Sequence, residues 1–353
     1  LLTKLLKDPE VGEFIVPIVP DEARTFGMDA LFKVAGIYSP DGQRYTPVDA
    51  EALNTYREAI DGQILQEGIC EAGAIASFIA AGTAYATFAV PTIPFYIFYS
   101  MFGFQRVGDM IWASADMMAR GFLLGGTAGR TTLNGEGLQH QDGHSPILAS
   151  TVPSVRTYDP AFAWELAVLV RFGIQRMFVE DHDELFYLMM YNESLPMPAR
   201  PDHVDLDDGV VRGGYLLEPA AGGGPRVNLL GSGTILFEVL RAAAILREEG
   251  YSVAVYSVTS YVELARDAER AEQGDAAEPA WLDTIFPEND VPTVAATDYV
   301  RALPRMIASW INGPFTALGT DGFGMSERRS DLRAHFKVDA ASIADAARRL
   351  ASS

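Results

Sequence analysis

A long run without a charged side chain, residues 72–105, constrains the fold of this chain more than any other feature. The run exceeds the ~20 residues that a transmembrane helix requires. Two prolines, Pro91 and Pro94, interrupt it, and its first half is rich in Ala, Gly, Ser and Thr. We therefore predict a buried helix over about 70–87 and a buried strand over about 93–99, rather than a membrane span.

Strand-like and helical segments alternate along the whole chain. Over residues 1–195 this alternation predicts a doubly wound, mostly parallel sheet. Residues 196–225 are rich in Pro, Gly and Asp and are interpreted as a linker. A second alternating set over 226–353 predicts a smaller domain of the same kind. The predicted fold class is thus α/β, with two open, mostly parallel twisted-sheet domains that carry helices on both faces.

Several local patterns predict individual elements. Asp159 followed by Pro160 is typical of a helix start, with Asp159 as the N-cap. Other segments are predicted from periodicity and turn residues: polar helical material around 47–60, a strand near 147–155, an acidic loop over 265–290, and helices over 299–311 and 338–351.

Charge and cysteine content exclude some classes of protein. The formal net charge of -20 argues against a nucleic-acid surface, which needs clustered Lys and Arg. A single cysteine, Cys70, excludes an intramolecular disulfide framework and a cysteine-based zinc site. The chain begins Leu-Leu-Thr-Lys, without an initiator methionine or a signal-peptide pattern. We expect a cytoplasmic protein, and a processed or trimmed piece of a longer one.

Residues 129–145 (GRTTLNGEGLQHQDGHS) form a glycine-rich segment that carries two of the five histidines. Frequent glycine indicates tight turns or close backbone approaches. Imidazoles in such a loop are placed where a ligand could meet them. A polar surface loop that happens to contain histidines explains the composition equally well.

Two motifs resemble ligand sites but lack their usual context. His140, Asp142 and His144 could form a metal site, as in a metal hydrolase, but His-x3-His binds zinc when helical and Gly143 disfavours a helix. Residues 231–233 (GSG) are a short part of a dinucleotide-binding loop, and small residues are common in any strand-to-helix turn. We expect neither motif to bind its ligand.

A dispersed set of polar and aromatic residues lies at the predicted element ends of the first domain. General acid–base chemistry around an aromatic cofactor would suit this set, with the carboxylates and the histidine moving protons and Phe102 stacking. First-turn acids in solvent and aromatic core packing are the simpler explanations for its members. The set consists of Asp21, Glu22, Glu71, Tyr99, Phe102 and His140.

Six stretches resemble one enzyme family, the homodimeric, bacterial-type pyruvate dehydrogenase component. That component is the thiamine diphosphate-dependent, acetyl-transferring first enzyme of the 2-oxo acid dehydrogenase complexes. The resemblance covers essentially the whole chain. The stretches are residues 20–27 (PDEARTFG), 62–68 (GQILQEG), 93–106 (IPFYIFYSMFGFQR), 129–140 (GRTTLNGEGLQH), 256–260 (YSVTS) and 318–324 (LGTDGFG).

The resemblance implies a role for each matching residue. Glu71 is similar to the glutamate that hydrogen-bonds the aminopyrimidine ring of the cofactor and promotes its imino tautomer. Phe102 resembles the ring stacked on the aminopyrimidine. Tyr99 and His140 resemble groups that contact substrate and intermediate. Asp21 and Glu22 resemble acids of the active centre. No role is implied for Asp142 or His144.

The resemblance also implies what lies outside this chain. Enzymes of this kind hold the cofactor diphosphate through Mg²⁺ on a Gly-Asp-Gly segment, which this sequence lacks. The chain thus resembles the middle (pyrimidine-binding) and C-terminal transketolase-like domains only. We expect the Mg²⁺ ligands on a diphosphate-binding domain from a missing N-terminal region or another chain. We also expect a homodimer, pyruvate as substrate and a lipoyl domain of the acetyltransferase core as partner.

A different class of function remains open on the sequence. The chain could retain the fold as a non-catalytic module for assembly or dimerisation. An enzyme would depend on Glu71, whereas a scaffold would not.

Overall fold

A computed structural model describes residues 1–21, 23–48, 56–133, 136–202, 206–275, 278–286 and 290–352. By its internal contacts the chain divides into two compact units. Unit 1 comprises residues 1–126, 152–155 and 173–187, and unit 2 comprises residues 127–151, 156–172 and 188–353.

The strands and helices of the described residues alternate along the chain. The strands are β1 (Ile15–Val19), β2 (Ile37–Tyr38), β3 (Glu58–Ala59), β4 (Leu65–Gln66), β5 (Ile93–Tyr99), β6 (Gly121–Gly126), β7 (Val155–Tyr158), β8 (Leu185–Met189), β9 (Tyr215–Glu218), β10 (Arg226–Gly231), β11 (Ser252–Ser257), β12 (Thr293–Ala296) and β13 (Phe315–Leu318). The α-helices are α1 (Leu2–Leu5), α2 (Asp29–Phe32), α3 (Glu71–Gly82), α4 (Ala84–Phe88), α5 (Ser100–Asp116), α6 (Ser145–Ser150), α7 (Ala163–Ile174), α8 (Leu206–Arg212), α9 (Ile235–Glu248), α10 (Tyr261–Gln273), α11 (Trp281–Ile285), α12 (Ala302–Arg305), α13 (Arg329–Phe336) and α14 (Ala340–Ala351). Short 3₁₀ turns lie at Gly12–Phe14, Ala23–Phe26, Leu138–His140 and Ala308–Trp310, and a π-helical turn at Gln175–Val179.

The first sheet has the strand order β4-β1-β5-β6-β8-β7. Strand β1 pairs in parallel with β4 and β5, and β5 pairs in parallel with β6. The charge-free run forms α3, α4 and β5, as predicted, because its large side chains fill the core: Phe78, Phe95, Tyr96 and Phe98 are fully buried. Among the helices described, none is both long and apolar enough to cross a membrane.

The second sheet has the strand order β13-β12-β10-β11-β9. Its strands pair in parallel except for β9, which pairs antiparallel with β11 at one edge. Valines and leucines of β10, β11 and β12 pack against the apolar faces of α9 and α14. The predicted α/β class with mostly parallel sheets is therefore confirmed.

The predicted domain limits, 1–195 and 226–353, stay a prediction. The contact-based units do not result from one cut, because residues 127–151 and 156–172 group with the second half of the chain. The segment interpreted as a linker, 196–225, contains α8 and β9, and β9 belongs to the second sheet.

Some local predictions were wrong. The strand predicted near 147–155 is α6 followed by β7. The acidic segment 265–290 was predicted as a loop, yet most of it is α10 and α11. Helix α10 forms because Ser260 caps it, its hydroxyl accepting from Glu263 N at 3.0 Å, and because one apolar face is buried beneath its charged outer face. Within 299–311 only α12 and a 3₁₀ turn form, and the polar segment 47–60 lies partly outside the described residues.

The predicted helix start at Asp159 was also wrong. Helix α7 begins at Ala163, and a different acid satisfies the backbone N–H groups that precede it. Glu165 Oε2 accepts from Ala161 N at 2.6 Å and from Phe162 N at 2.9 Å. Its other oxygen accepts from the hydroxyls of Tyr215 and Ser257, at 2.7 Å each.

The Asp159 carboxyl group lies in the core, surrounded by acidic and hydroxyl groups. Its Oδ1 accepts a hydrogen bond from the hydroxyl of Tyr191, and Glu165, Asp298 and Tyr261 lie close enough to interact electrostatically. Burial raises the pKa of Asp159 to about 7.

This pKa predicts a specific pH dependence of stability. In the unfolded chain the carboxyl titrates near pH ~4, so between about pH 4 and 7 the folded protein binds the extra proton. The stability contribution is fully present below about pH 4 and is lost as the pH rises through about 7. We expect Asp159→Asn to remove about 2–3 kcal/mol of the stability difference between about pH 5 and about pH 7.5, measured by urea denaturation. Equal pH dependence of wild type and variant would contradict the assignment.

Candidate active site

The carboxyl ends of two neighbouring strands bring together polar residues of unit 1. Asp21 follows β1, and Tyr99 is the last residue of β5, which pairs in parallel with β1. Parallel strands end at one edge of the sheet, where open α/β sheets place their ligands. Here the Tyr99 hydroxyl donates to Asp21 Oδ2 at 3.2 Å.

Two further aromatic rings pack on the Tyr99 side chain that makes this hydrogen bond. Phe102 lies in the first turn of α5, and its ring centroid is 5.9 Å from that of Tyr99 in an edge-on arrangement. Phe26 packs on Tyr99 with centroids 5.0 Å apart. The rings form an aromatic cluster at the edge of the sheet beside a carboxylate.

Glu71 is the first residue of α3, and its carboxylate faces α5. Glu71 Oε1 accepts a hydrogen bond from Arg106 Nη1 at 2.6 Å, and the Glu71 side chain is only 13% exposed. The Arg106 guanidinium carbon lies 3.8 Å from the centre of the Phe102 ring. Glu71 is therefore not a solvated first-turn acid, because its carboxylate is bonded to the Arg106 guanidinium.

Unit 1 therefore joins four predicted site residues into one contact series. Tyr99 links Asp21 to Phe102, and Arg106 links Phe102 to Glu71. Sequence reasoning missed Arg106, although its position four residues after Phe102 on a helix places the two on one face. Glu22, the remaining predicted acid, lies outside the described residues.

The glycine-rich segment belongs to unit 2, where its start is held by a buried carboxylate. Asp298, fully buried after β12, accepts from Thr131 N at 2.8 Å and Thr131 Oγ1 at 2.6 Å. Its other oxygen accepts from Thr132 N at 3.1 Å and Thr132 Oγ1 at 2.6 Å. Gly129 has a φ of +83°, and a Cβ there would lie 2.3 Å from the Asp298 carboxylate. Glycine is required at this position by close approach.

Arg130 anchors the same segment further along. Its guanidinium is buried, donates to the backbone oxygen of Thr320, and lies where a Cβ on residue 143 would be, 2.3 Å away. Gly143 is therefore glycine because the guanidinium occupies that space. Burial lowers the pKa of Arg130, while Asp142, Asp298 and Asp321 favour its charged form.

His140 ends the 3₁₀ turn Leu138–His140, and its Nδ1 lies 3.9 Å from Glu136 Oε2. The Asp142 carboxylate is used structurally. Its oxygens accept hydrogen bonds from His144 N, Ser145 N and the Ser145 hydroxyl at the start of α6. Across the described part of the chain, no group of three or more His, Cys, Asp or Glu residues could hold a metal ion.

The GSG turn at 231–233 is explained by packing. Gly233 has a φ of +49°, and a Cβ there would lie 2.4 Å from the Tyr191 hydroxyl and 2.5 Å from Asp159 Oδ1. The turn needs glycine for this contact, so its composition is no evidence for a phosphate site.

Two family profiles match the chain. The profile of the pyruvate dehydrogenase E1 component middle domain matches residues 1–198, and that of the transketolase-like C-terminal domain matches residues 213–339. Similar curated proteins are named pyruvate dehydrogenase E1 component. That of Corynebacterium glutamicum is 51% identical over 96% of this chain, and that of Escherichia coli K12 is 48% identical over 98%. This chain covers 38% and 40% of those two relatives, respectively.

Solved structures share the fold at low identity. The transketolase of Leishmania mexicana superposes with a TM-score of 0.74 at 16% identity, over 99% of this chain and 44% of its own. A split-gene transketolase, described as an inactive β4 tetramer, superposes with a TM-score of 0.67 at 15% identity. The match covers 99% of this chain and 95% of the split-gene chain.

The buried carboxylate predicts a measurable cost. In Asp298→Asn the amide nitrogen would replace one acceptor oxygen, leaving the backbone N–H of either Thr131 or Thr132 without a partner. We expect a loss of about 2–3 kcal/mol in unfolding free energy, since each buried unsatisfied donor costs about 1–3 kcal/mol. Urea denaturation measures it, and Asp331→Asn on the exposed side of α13 is the control. A loss no larger than in the control would contradict the role of Asp298.

Proposed function

This chain belongs to the pyruvate dehydrogenase E1 component family, and from that premise we propose that it supplies the pyrimidine-binding half of a thiamine diphosphate site. The complete enzyme would decarboxylate pyruvate oxidatively and transfer the acetyl group to a lipoyl domain. Because the chain spans about two fifths of the length of the curated relatives, this activity is proposed for the whole protein.

The contact between Glu71, Arg106 and Phe102 carries this proposal. An aminopyrimidine is flat, aromatic and has ring nitrogens, so a site for it needs an aromatic surface and a carboxylate at its edge. Phe102 offers the first and Glu71 the second, with Arg106 between them at 3.8 Å from the ring and 2.6 Å from the carboxylate. The residues present therefore fit the group.

Glu71 can hold a proton relay in place. One carboxylate oxygen is engaged by Arg106, and no hydrogen bond from the described residues reaches the other, Oε2. Oε2 is therefore the atom that would accept a ring N–H or hold the proton. When bound, the cofactor would supply the electron sink for the bond that breaks, while the protein orients it and moves protons.

The other predicted residues would act on the substrate. The Tyr99 hydroxyl donates its single proton to Asp21 at 3.2 Å, so its oxygen would accept a hydrogen bond from a hydroxyl of the substrate or intermediate. Glu22 would add a second acid beside Asp21. We propose that His140 moves a proton to or from a substrate oxygen. The histidine suits this role because an imidazole has one ring nitrogen that can donate a proton and one that can accept it.

The rest of the site would come from elsewhere. We propose that Mg²⁺ and the diphosphate bind a domain that is not part of this chain, and that the enzyme works as a homodimer in the cytoplasm. An isolated chain of this kind should be inactive. The split-gene transketolase of matching fold is described as an inactive β4 tetramer, and this description supports the expected inactivity of the isolated chain.

A substitution at Glu71 tests the proposal. In the full-length protein, we expect Glu71→Gln to lower kcat/KM for pyruvate at least about 100-fold, because a positioned acid–base group contributes about 10²–10⁴-fold. The circular dichroism spectrum should not change. Glu13→Gln, on an exposed glutamate, is the matched control. Unchanged activity of the Glu71 variant would favour the non-catalytic assembly module.

The isolated chain provides a second test. With thiamine diphosphate, Mg²⁺ and pyruvate added, residues 1–353 alone should release no CO₂ above the protein-free background. The reason is that the diphosphate and Mg²⁺ ligands would be missing. Turnover by this chain would overturn the proposed division of the site.

A further inference from the structure

The residue after His140 is buried, and its side chain bonds two distant parts of the backbone. Gln141 is 4% exposed. Its Nε2 donates to the backbone oxygen of Leu133 at 3.2 Å and to that of Met325 at 2.9 Å. The first bond joins Gln141 to Leu133, and the second joins it to the segment after β13. All of these residues belong to unit 2.

The surroundings leave the Gln141 side chain little freedom. A Cβ at residue 324 would lie 2.1 Å from Gln141 Oε1 and 2.9 Å from Gln141 Cβ, so Gly324 packs directly on the glutamine. The backbone before the side chain is turned, because His140 N donates to Gly137 O at 3.0 Å and Gln141 N donates to Leu138 O at 3.1 Å. The His140 imidazole is therefore attached to backbone that the enclosed Gln141 side chain holds in place.

A primary amide is suited to this position because its nitrogen carries two donors and no charge. Met, of similar length, would leave both carbonyl oxygens without their donor, and Glu would place acceptors against acceptors. The backbone at residues 140–141 would then be free to shift. A displacement of about 1 Å at a reacting group can cost about 10²-fold in rate.

We propose that Gln141 is a positioning residue for the reaction, setting the orientation of the His140 imidazole through the hydrogen bonds to Leu133 and Met325. The segment after β13 thereby takes part in the chemistry without touching substrate. This inference rests on the proposed function, in which His140 moves a proton at a substrate oxygen.

The test uses the full-length enzyme with pyruvate, Mg²⁺ and thiamine diphosphate. Gln141→Met should lower kcat about 10- to 100-fold and change KM less than about threefold. Gln63→Met is the matched control, because Gln63 Nε2 also donates to two backbone oxygens, Gly12 O at 2.8 Å and Ile15 O at 3.2 Å. The control should lose similar stability in thermal denaturation and keep kcat.

A double-mutant cycle separates positioning from a structural effect. If Gln141 acts through His140, the double variant Gln141→Met/His140→Ala should be no slower than His140→Ala alone. If Gln141→Met does not fold, Gln141→Asn replaces it, since the amide stays neutral but is too short to reach both carbonyl oxygens.

The outcomes distinguish the two proposals. Full activity of the Gln141 variant, or additive losses in the cycle, would overturn the positioning role and leave the proposed function intact. Wild-type enzyme without pyruvate decarboxylation, or a fully active His140→Ala variant, would overturn the proposed role of His140 and the positioning role with it.

Discussion

The hydrogen bonds to the buried carboxylate of Asp298 determine the backbone conformation at the start of the glycine-rich segment. Burial raises the pKa of Asp298, and the donors of Thr131 and Thr132 oppose that shift by favouring the ionised form. A carboxylate without solvent needs such donors, so the backbone of residues 131–132 must turn towards it. This turn explains the glycine at position 129, whose absent Cβ leaves room for the carboxylate. The segment therefore owes its shape to residues more than 160 positions later in the chain.

A second constraint is the parallel pairing of β1 and β5 in unit 1. Because the two strands end together, Asp21 and Tyr99 meet, and the start of α5 carries Phe102 and Arg106 onward towards Glu71. Asp21, Tyr99 and Glu71 lie at or next to element ends, and Arg106 lies within α5. The arrangement follows from topology, and the chemistry follows from which side chains occupy the ends.

Much of this could be predicted from the sequence, for physical reasons that also set the limits. A charge-free run must be buried, so α3 and β5 were predictable. The site roles of Glu71 and Phe102 follow from the resemblance and stay predictions. Asp159 was misinterpreted because a capping pattern depends only on adjacent residues. Its carboxyl group instead accepts a hydrogen bond from Tyr191 in the core. Helix α10 was missed because charged residues dominate its composition, although its first five residues and Ala268 are buried.

The residues that sequence reasoning missed share one property: their partners are distant in the chain. Arg106 bonds to Glu71, which is thirty-five positions away, and Gln141 bonds to Met325, which is 184 positions away. No periodic pattern reports such pairs, because neither residue is unusual where it stands. Their effect is nevertheless local, since each fixes the direction of a neighbouring functional group. In each unit, then, a side chain supplied at a distance orients the acid or the histidine that the chemistry would use.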